Sequence, residues 1–382
     1  MATESIPGDV IDGALRIYDL VSSYGDENDR EGCIAQPVID KLHAIGAFGA
    51  FVPRELGGAE MTPREAMDLF GTLAYADAAT GWVTFAVGLG TGLPGAFFDR
   101  ETAEELFATP QLGIAGQGTR PGKAVPTKGG HLLSGSWAFA SGIKHSTHLL
   151  TTAQDTENGE VRAFILPIDQ VTFDDNWDVM GLRGTGSIDY TLDEVLVPSN
   201  YSFSAASKSP VTGGSLYRIG IGNFATINHG GWALGVGRRL LDELAASVRA
   251  KESHPGSLAG SDAFAEDYAN AEVKLRSAKA FLYESWEAIE SVLSTGGPIP
   301  IRLETLTRAA LNNATWRVQE IACFVYASSG TSALRRGTIQ RFFRDIHGGT
   351  QHISSSRSIM HSAGLELAGL AEGKRWIHHA LK

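Results

Sequence analysis

The hydrophobic period of the chain changes twice, and these changes restrict the fold more than any other feature. From residue 8 to about 110, apolar positions recur every three or four residues, as in REAMDLFGTLAYAD. Helical segments are predicted near 9–24, 35–45, 63–78 and 100–107, separated by breaks such as VPRELGGAEM. From about 112 to 200 the repeat shortens to two. HLLSGSWAFAS, HLLTTAQD, VRAFILPI and SIDYTLDEVLVP, rich in β-branched and aromatic residues, alternate with GG, ENG and RGTG turn signals. After a glycine- and serine-rich passage at 202–214 the helical period returns in four long segments, about 217–252, 262–294, 301–329 and 337–361. Each carries an apolar stripe, as in AEVKLRSAKAFLYESWEAIESVL, which suits an antiparallel four-helix bundle. The prediction is an α+β chain in three units: a helical domain at 1–110, a β-barrel or sandwich at 111–214 and a helical bundle at 215–382.

Composition narrows the class of function. Hydrophobic residues at 43% and charged residues at 20% describe a globular protein with a large core. A net charge of -11 argues against a general nucleic-acid or anionic-membrane surface, since both attract basic patches. The two cysteines, Cys33 and Cys323, form no metal spacing. The opening MATESIPGDVIDGALRIYDL has early acids and no long apolar run, and no stretch reaches the ~18 to 20 apolar residues of a membrane span, so a cytoplasmic protein is expected.

Several chemistries lack their motifs. No G-x-G-x-x-G follows a strand and no P-loop lysine is present, which excludes a Rossmann domain or NTPase. No histidine pairs at i,i+4 around a glutamate, and there is no G-x-S-x-G elbow. His378-His379 reads as an exposed tail pair. Three stretches remain: SGSWAFASGIKHSTH at 134–148, WDVMGLRGTGS at 177–187 and RFFRDIHGGTQH at 341–352. Taken singly, each also has a plain structural reading, as a strand turn, a hairpin loop and a helix that begins with basic residues.

Their order resembles the acyl-CoA dehydrogenase fold over nearly the whole chain. LHAIGAFGAFVPRELGGAEMTPREAMDLFGTLAYADAATGW looks like that family's N-terminal domain, WAFASG like the strand and turn along the flavin, and YASSGTSALRRGTIQRFFRD like the C-terminal turn and helix. Dehydrogenases of the family need a carboxylate base beside the ring. By the resemblance that base would fall at Ile353 or near Ala225, and neither is an acid; His352 stands one residue before the first. PGKAVPTKGGHLLSGSWAFASGIKH, MGLRGTGS and RDIHGGTQH resemble instead the flavin-dependent, two-component (group D type) monooxygenase branch.

That resemblance implies an enzyme that uses reduced flavin, FAD or FMN, and O2 to oxygenate a small aromatic or heteroaromatic substrate, free or as a CoA thioester, through a flavin–oxygen adduct. Ser141 would hydrogen-bond the flavin and His352 would act in catalysis. Trp137, Phe139, Ala140 and Gly142 would line the cofactor; Arg183, Thr185 and Ser187 would meet its phosphate or the substrate, with a satisfied hairpin turn as their alternative; and Arg335, Arg336 and Arg344 would meet the phosphate across a subunit boundary. His145 and His347 are the candidates for substrate contact. An Arg344–Asp345 ion pair that positions the helix is the alternative for that pair, and packing in the barrel is the alternative for Trp137 and Phe139. A histidine with an ordinary pKa near ~6.5 could hold or return a proton at neutral pH. The R-x-x-F-G element that grips FAD is missing after Arg249, which fits flavin delivered by a partner reductase. The resemblance also implies a homotetramer. The competing readings are an acyl-CoA dehydrogenase or oxidase with a relocated base, and a catalytically silent flavin-fold protein.

Overall fold

The computed structural model describes residues 6–377 and 379–382. Its first layer is helical: α1 (Pro7–Arg16), α2 (Tyr18–Glu31), α3 (Gln36–Ala44), α4 (Pro63–Ala76), α5 (Ala78–Phe97) and α6 (Arg100–Phe107). Local capping explains several of these boundaries. Thr62 and Glu65 form a reciprocal capping box at the start of α4. Asp77, one residue past the end of α4, accepts from Thr80 N at 3.0 Å and so starts α5. The single helix expected over 9–24 is two, interrupted at Ile17. Helix α5 was not expected at all. Every residue of it except Ala86 and Leu89 is buried, so it shows no amphipathic period, and its glycines read as loop.

The middle layer is one mixed sheet rather than a closed barrel or a two-sheet sandwich. Strands β1 (Ile114–Thr127), β2 (Gly130–Ala140), β3 (His148–Asp155), β4 (Val161–Pro167), β5 (Thr172–Asp174), β6 (Ile188–Pro198) and β7 (Ser202–Ser204) lie in the order β5-β6-β2-β1-β3-β4-β7. Among the described residues only β1 and β3 pair in parallel. Among the described residues the edge strands β5 and β7 do not pair with each other, which leaves the sheet open.

The last layer holds α7 (Ile221–Ala250), α8 (Asp262–Ser294), α9 (Ile301–Ser329), α10 (Thr338–Gly349) and α11 (Arg357–Leu367), followed by a small hairpin of β8 (Trp376–Ile377) and β9 (Ala380–Leu381). The fourth segment, expected to be continuous over 337–361, breaks after Gly349, and a 3₁₀ turn at Ile353–Ser355 separates α10 from α11. His352 sits in this break. Helices α4 and α7 cross backbone to backbone: a Cβ on Gly235 would come within 2.2 Å of the Gly71 carbonyl oxygen. Nearby, Trp232 is fully buried and donates its indole N–H to Ala78 O at 2.8 Å, tying α7 to the start of α5. Burial of a side chain this size contributes about 3 kcal/mol, so the joint between the first and last layers is firm. No helix among the described residues is long and apolar enough to cross a membrane.

Candidate active site

The site is assembled from the end of β2, helix α5, the loop before β6, helix α7 and the break after α10. At the end of β2 the pairing with β6 slips between Trp137 and Ala140. Phe139 takes up the slip with φ 72°, an uncommon conformation for a residue with a side chain. Strict alternation would send Trp137 and Phe139 to one face; the bulge sends them apart. Trp137 is buried and stacks on Tyr190, with centroids 5.2 Å apart, so it belongs to the sheet core and not to a cofactor surface. Phe139 is 61% exposed and meets Trp177 edge-on at 6.1 Å. Strain held at an exposed aromatic ledge is the kind of feature that clusters at ligand sites. Ala140 is fully buried beneath it. The next turn requires Gly142, whose φ is 78° and whose added Cβ would lie 2.8 Å from Val87 Cγ2.

Behind this turn runs a chain of hydroxyl groups with one direction. Thr185 Oγ1 donates to Leu182 O at 2.8 Å, and a carbonyl can only accept. Thr185 therefore accepts from Ser187 across 2.6 Å, and Ser187 accepts from Ser141 across 2.7 Å. Ser141 Oγ in turn accepts the indole N–H of Trp82 at 3.1 Å. Each hydroxyl proton is used within the chain. Ser141 is left with a lone pair, and it faces any ligand as an acceptor.

Trp82 also joins Ser141 to a histidine pair. Its ring meets His229 at 4.6 Å, Trp232 at 4.9 Å, Phe85 at 4.9 Å and His352 at 5.9 Å. The imidazoles of His229, from α7, and His352 are 3.9 Å apart and tilted by 31°. Burial pushes His352 down to about 3, helped by His379 in the hairpin turn. Burial also holds His229 well below the ordinary histidine value, reinforced by His352 and His379. Both rings are neutral at physiological pH, so the expectation that His352 titrates near neutrality is not met. Its tautomer is set as well. Ser354 N donates to His352 Nδ1 at 3.2 Å, which places the proton on Nε2 and makes His352 a hydrogen-bond donor. His379 is not an exposed tail residue, and His378 lies outside the described residues. Among the described residues no carboxylate pairs with Ser141, Trp82, His229 or His352.

The structure uses the other candidates differently. Thr185 and Ser187 are buried and reach the site only through Ser141. Arg183 is committed to its own loop and to α2, donating to Asp29 O at 3.0 Å, Val179 O at 3.1 Å and Asp178 Oδ1 at 3.1 Å. Arg344 grips both oxygens of Asp29, at 2.9 and 2.8 Å, and also donates to Met180 O and Gln340 Oε1, so its ion pair runs to α2 and not to the adjacent Asp345, and its guanidinium is already engaged by a carboxylate. Its neighbour Asp345 is buried, which pushes its carboxyl up to about 7, and it accepts from Leu182 N at 2.6 Å, fixing the GLRGTGS loop. Arg335 is exposed in the turn before α10, with no side-chain ion pair among the described residues. His347 is held between α9 and α10: Nδ1–H donates to Phe343 O at 2.6 Å and Nε2 faces Gln319 at 3.0 Å, so it does not join the site. His145 is pushed down to about 4 by burial and makes no hydrogen bond or ring contact with Ser141, His229 or His352.

His229 was missed because α7 is buried on most sides and its sequence, INHGGWALGVG, reads as packing. The close, tilted pair is a property of the fold, not of either local motif.

Comparison with known proteins identifies the fold and the family. The sequence family "Acyl-CoA dehydrogenase, N-terminal domain" matches residues 19–97, and "Acyl-CoA dehydrogenase, C-terminal domain" matches 227–357. The crystal structure of 3-HSA hydroxylase from Rhodococcus sp. RHA1 superposes with a TM-score of 0.89 at 23% identity, covering 95% of this chain and 97% of that one. The chain belongs to the acyl-CoA dehydrogenase family. Indole-3-acetate monooxygenase of Pseudomonas putida is 30% identical over 351 residues, covering 90% of this chain and 89% of that protein. The oxygenase subunit HsaA, a flavin-dependent monooxygenase of Mycobacterium tuberculosis, is 27% identical, covering 83% of this chain and 84% of its own. Within its family, the chain is a flavin-dependent monooxygenase, an oxidoreductase that uses reduced flavin.

Proposed function

We propose that the protein is the oxygenase component of a two-component system, taking reduced FAD or FMN from a partner reductase and inserting one atom of O2 into a small aromatic or heteroaromatic substrate. The observation that carries this reading is the one-way hydroxyl chain that leaves Ser141 as an acceptor beside two neutral histidines. A reduced flavin bears a hydrogen on N5 where an oxidised flavin bears a lone pair, so an acceptor-only Ser141 suits the reduced form. The exposed Phe139, with the half-buried Trp177 edge-on beside it, fits a flat ring, and Arg335 and Arg336, both exposed, are available for a phosphate. When bound, the reduced flavin supplies the reaction with oxygen.

This chain supplies the rest. Ser141 Oγ accepts a ring N–H, and the Gly142 turn lets the backbone approach closely. His352 Nε2–H donates to an oxygen gaining negative charge, and a neutral donor in an apolar surround is effective there. Trp82, Phe85 and Trp232 exclude water. The absence of a carboxylate at the histidine pair disfavours the dehydrogenase alternative, which needs one to remove a proton. The names of the relatives, an indole-3-acetate monooxygenase among them, support an aromatic substrate; a homotetramer remains part of the proposal.

The test is twofold. Reduced flavin should bind about tenfold or more tightly than oxidised flavin, the effect of one favourable hydrogen bond against one repulsive contact. With reduced flavin, an aromatic substrate and labelled O2, one labelled oxygen should enter the product. Bleaching of bound oxidised flavin by an acyl-CoA under nitrogen, with no oxygen-dependent product, would establish the dehydrogenase instead.

A further inference from the structure

We propose that His229 is the specificity residue of the site: its imidazole accepts a hydrogen bond from a ring N–H or phenolic O–H of the substrate, so the enzyme selects aromatic compounds that carry such a group. The inference rests on the oxygenase reading above and adds the substrate class.

Three observations carry it. First, His229 is only 4% exposed, its imidazole takes part in no hydrogen bond among the described residues, and its ring nitrogens are enclosed without being sealed off, so a ligand atom can meet them. Burying an unmatched polar group is unfavourable, and a phenylalanine would fill the same place without that cost if packing were its whole purpose. Second, its surroundings are aromatic on several sides, with Trp82 at 4.6 Å, Phe85 at 4.7 Å and His352 at 3.9 Å. These ring contacts hold the imidazole in place and satisfy neither nitrogen. Third, the two imidazoles are complementary. His352 has its lone pair engaged by Ser354 N and offers only Nε2–H. A neutral His229 offers one lone pair, the acceptor that His352 lacks. A substrate with a ring N–H or O–H is matched by this donor and acceptor pair, whereas an N-methyl or O-methyl analogue would leave His229 unmatched.

The imidazole is held neutral by burial and by its neighbouring histidines. It is therefore a weak base, and its contribution is orientation of the intact N–H or O–H group. Discrimination of this kind is large because the analogue strands a buried polar atom of the protein.

The experiment compares indole with N-methylindole, and phenol with anisole, by titration calorimetry on the wild-type protein and on His229→Phe, with reduced-flavin affinity measured in parallel. The wild type should prefer the hydrogen-bearing member of at least one pair by about tenfold or more. His229→Phe, which keeps the aromatic packing, should bind both members within twofold while keeping its reduced-flavin affinity. His229→Gln, which restores an acceptor, should recover part of the preference and serves if the phenylalanine variant does not fold. Absence of preference in both wild-type pairs, or its survival in His229→Phe, would overturn the proposal. Failure of the wild type to bind reduced flavin would overturn the oxygenase reading instead.

Discussion

The indole nitrogen of Trp82 lies 3.1 Å from Ser141 Oγ, and this bond occupies one of the two lone pairs on the hydroxyl proposed above to meet the flavin. The other end of the chain is fixed by the Leu182 carbonyl, so the polarity of Ser141 is set from both sides. Replacing Ser187 with alanine removes the acceptor for the Ser141 proton and lets that hydroxyl donate. The expected result is a preference for reduced over oxidised flavin that shrinks by about tenfold, read by titration of both redox states; an unchanged ratio would show that the chain does not control Ser141.

Asp29 and Arg344 form a two-pronged ion pair between α2 and α10. In Asp29→Ala the guanidinium loses its partner in a largely enclosed position. The variant should be about 1–3 kcal/mol less stable in denaturant unfolding, with flavin affinity within twofold of the wild type. A loss of flavin affinity without a loss of stability would return Arg344 to the cofactor.

Gly142 combines φ 78° with a close approach to Val87. Gly142→Ala should lower stability by about 1–3 kcal/mol and weaken reduced-flavin binding, because the strain falls on the turn that carries Ser141. Thermal unfolding together with flavin titration checks both.

His352 has a folded-state pKa of about 3, below its unfolded value. As pH falls below about 6.5 the unfolded state takes up a proton that the folded state refuses, so stability is lost at about 1.4 kcal/mol per pH unit for this group until pH nears the folded value. Asp345 acts with the opposite sign: its raised carboxyl pKa gives stability that is present at low pH and lost as pH rises toward about 7. The two are separated by variant comparison. His352→Gln should show a shallower loss of stability between pH 6.5 and 4.5 than the wild type, measured by denaturant midpoints at each pH.

The long amphipathic helices and the alternating strands were legible in the sequence because each element buries one face and leaves the other wet. Helix α5 was not, because burial on nearly all sides erases the period. The bulge at Phe139 was equally hidden: nothing in WAFAS announces the slip that separates Trp137 from its neighbour two residues on. Ser141 and His352 could be singled out from local patterns. His229 could not, since its role depends on α7 meeting the broken end of α10, and that meeting is decided by tertiary packing. Arg183 and Arg344 could not be decided from the sequence for a related reason. A guanidinium suits phosphate and carboxylate alike, and only the folded positions of Asp29 and Asp178 decide between them.

The glycine contact between Gly71 and Gly235 leaves no side-chain cushion on which α4 and α7 could glide. That seam acts as a weld. Opening the molecule there would require main-chain atoms in contact to separate, so the first and last helical layers are held as one piece at that crossing.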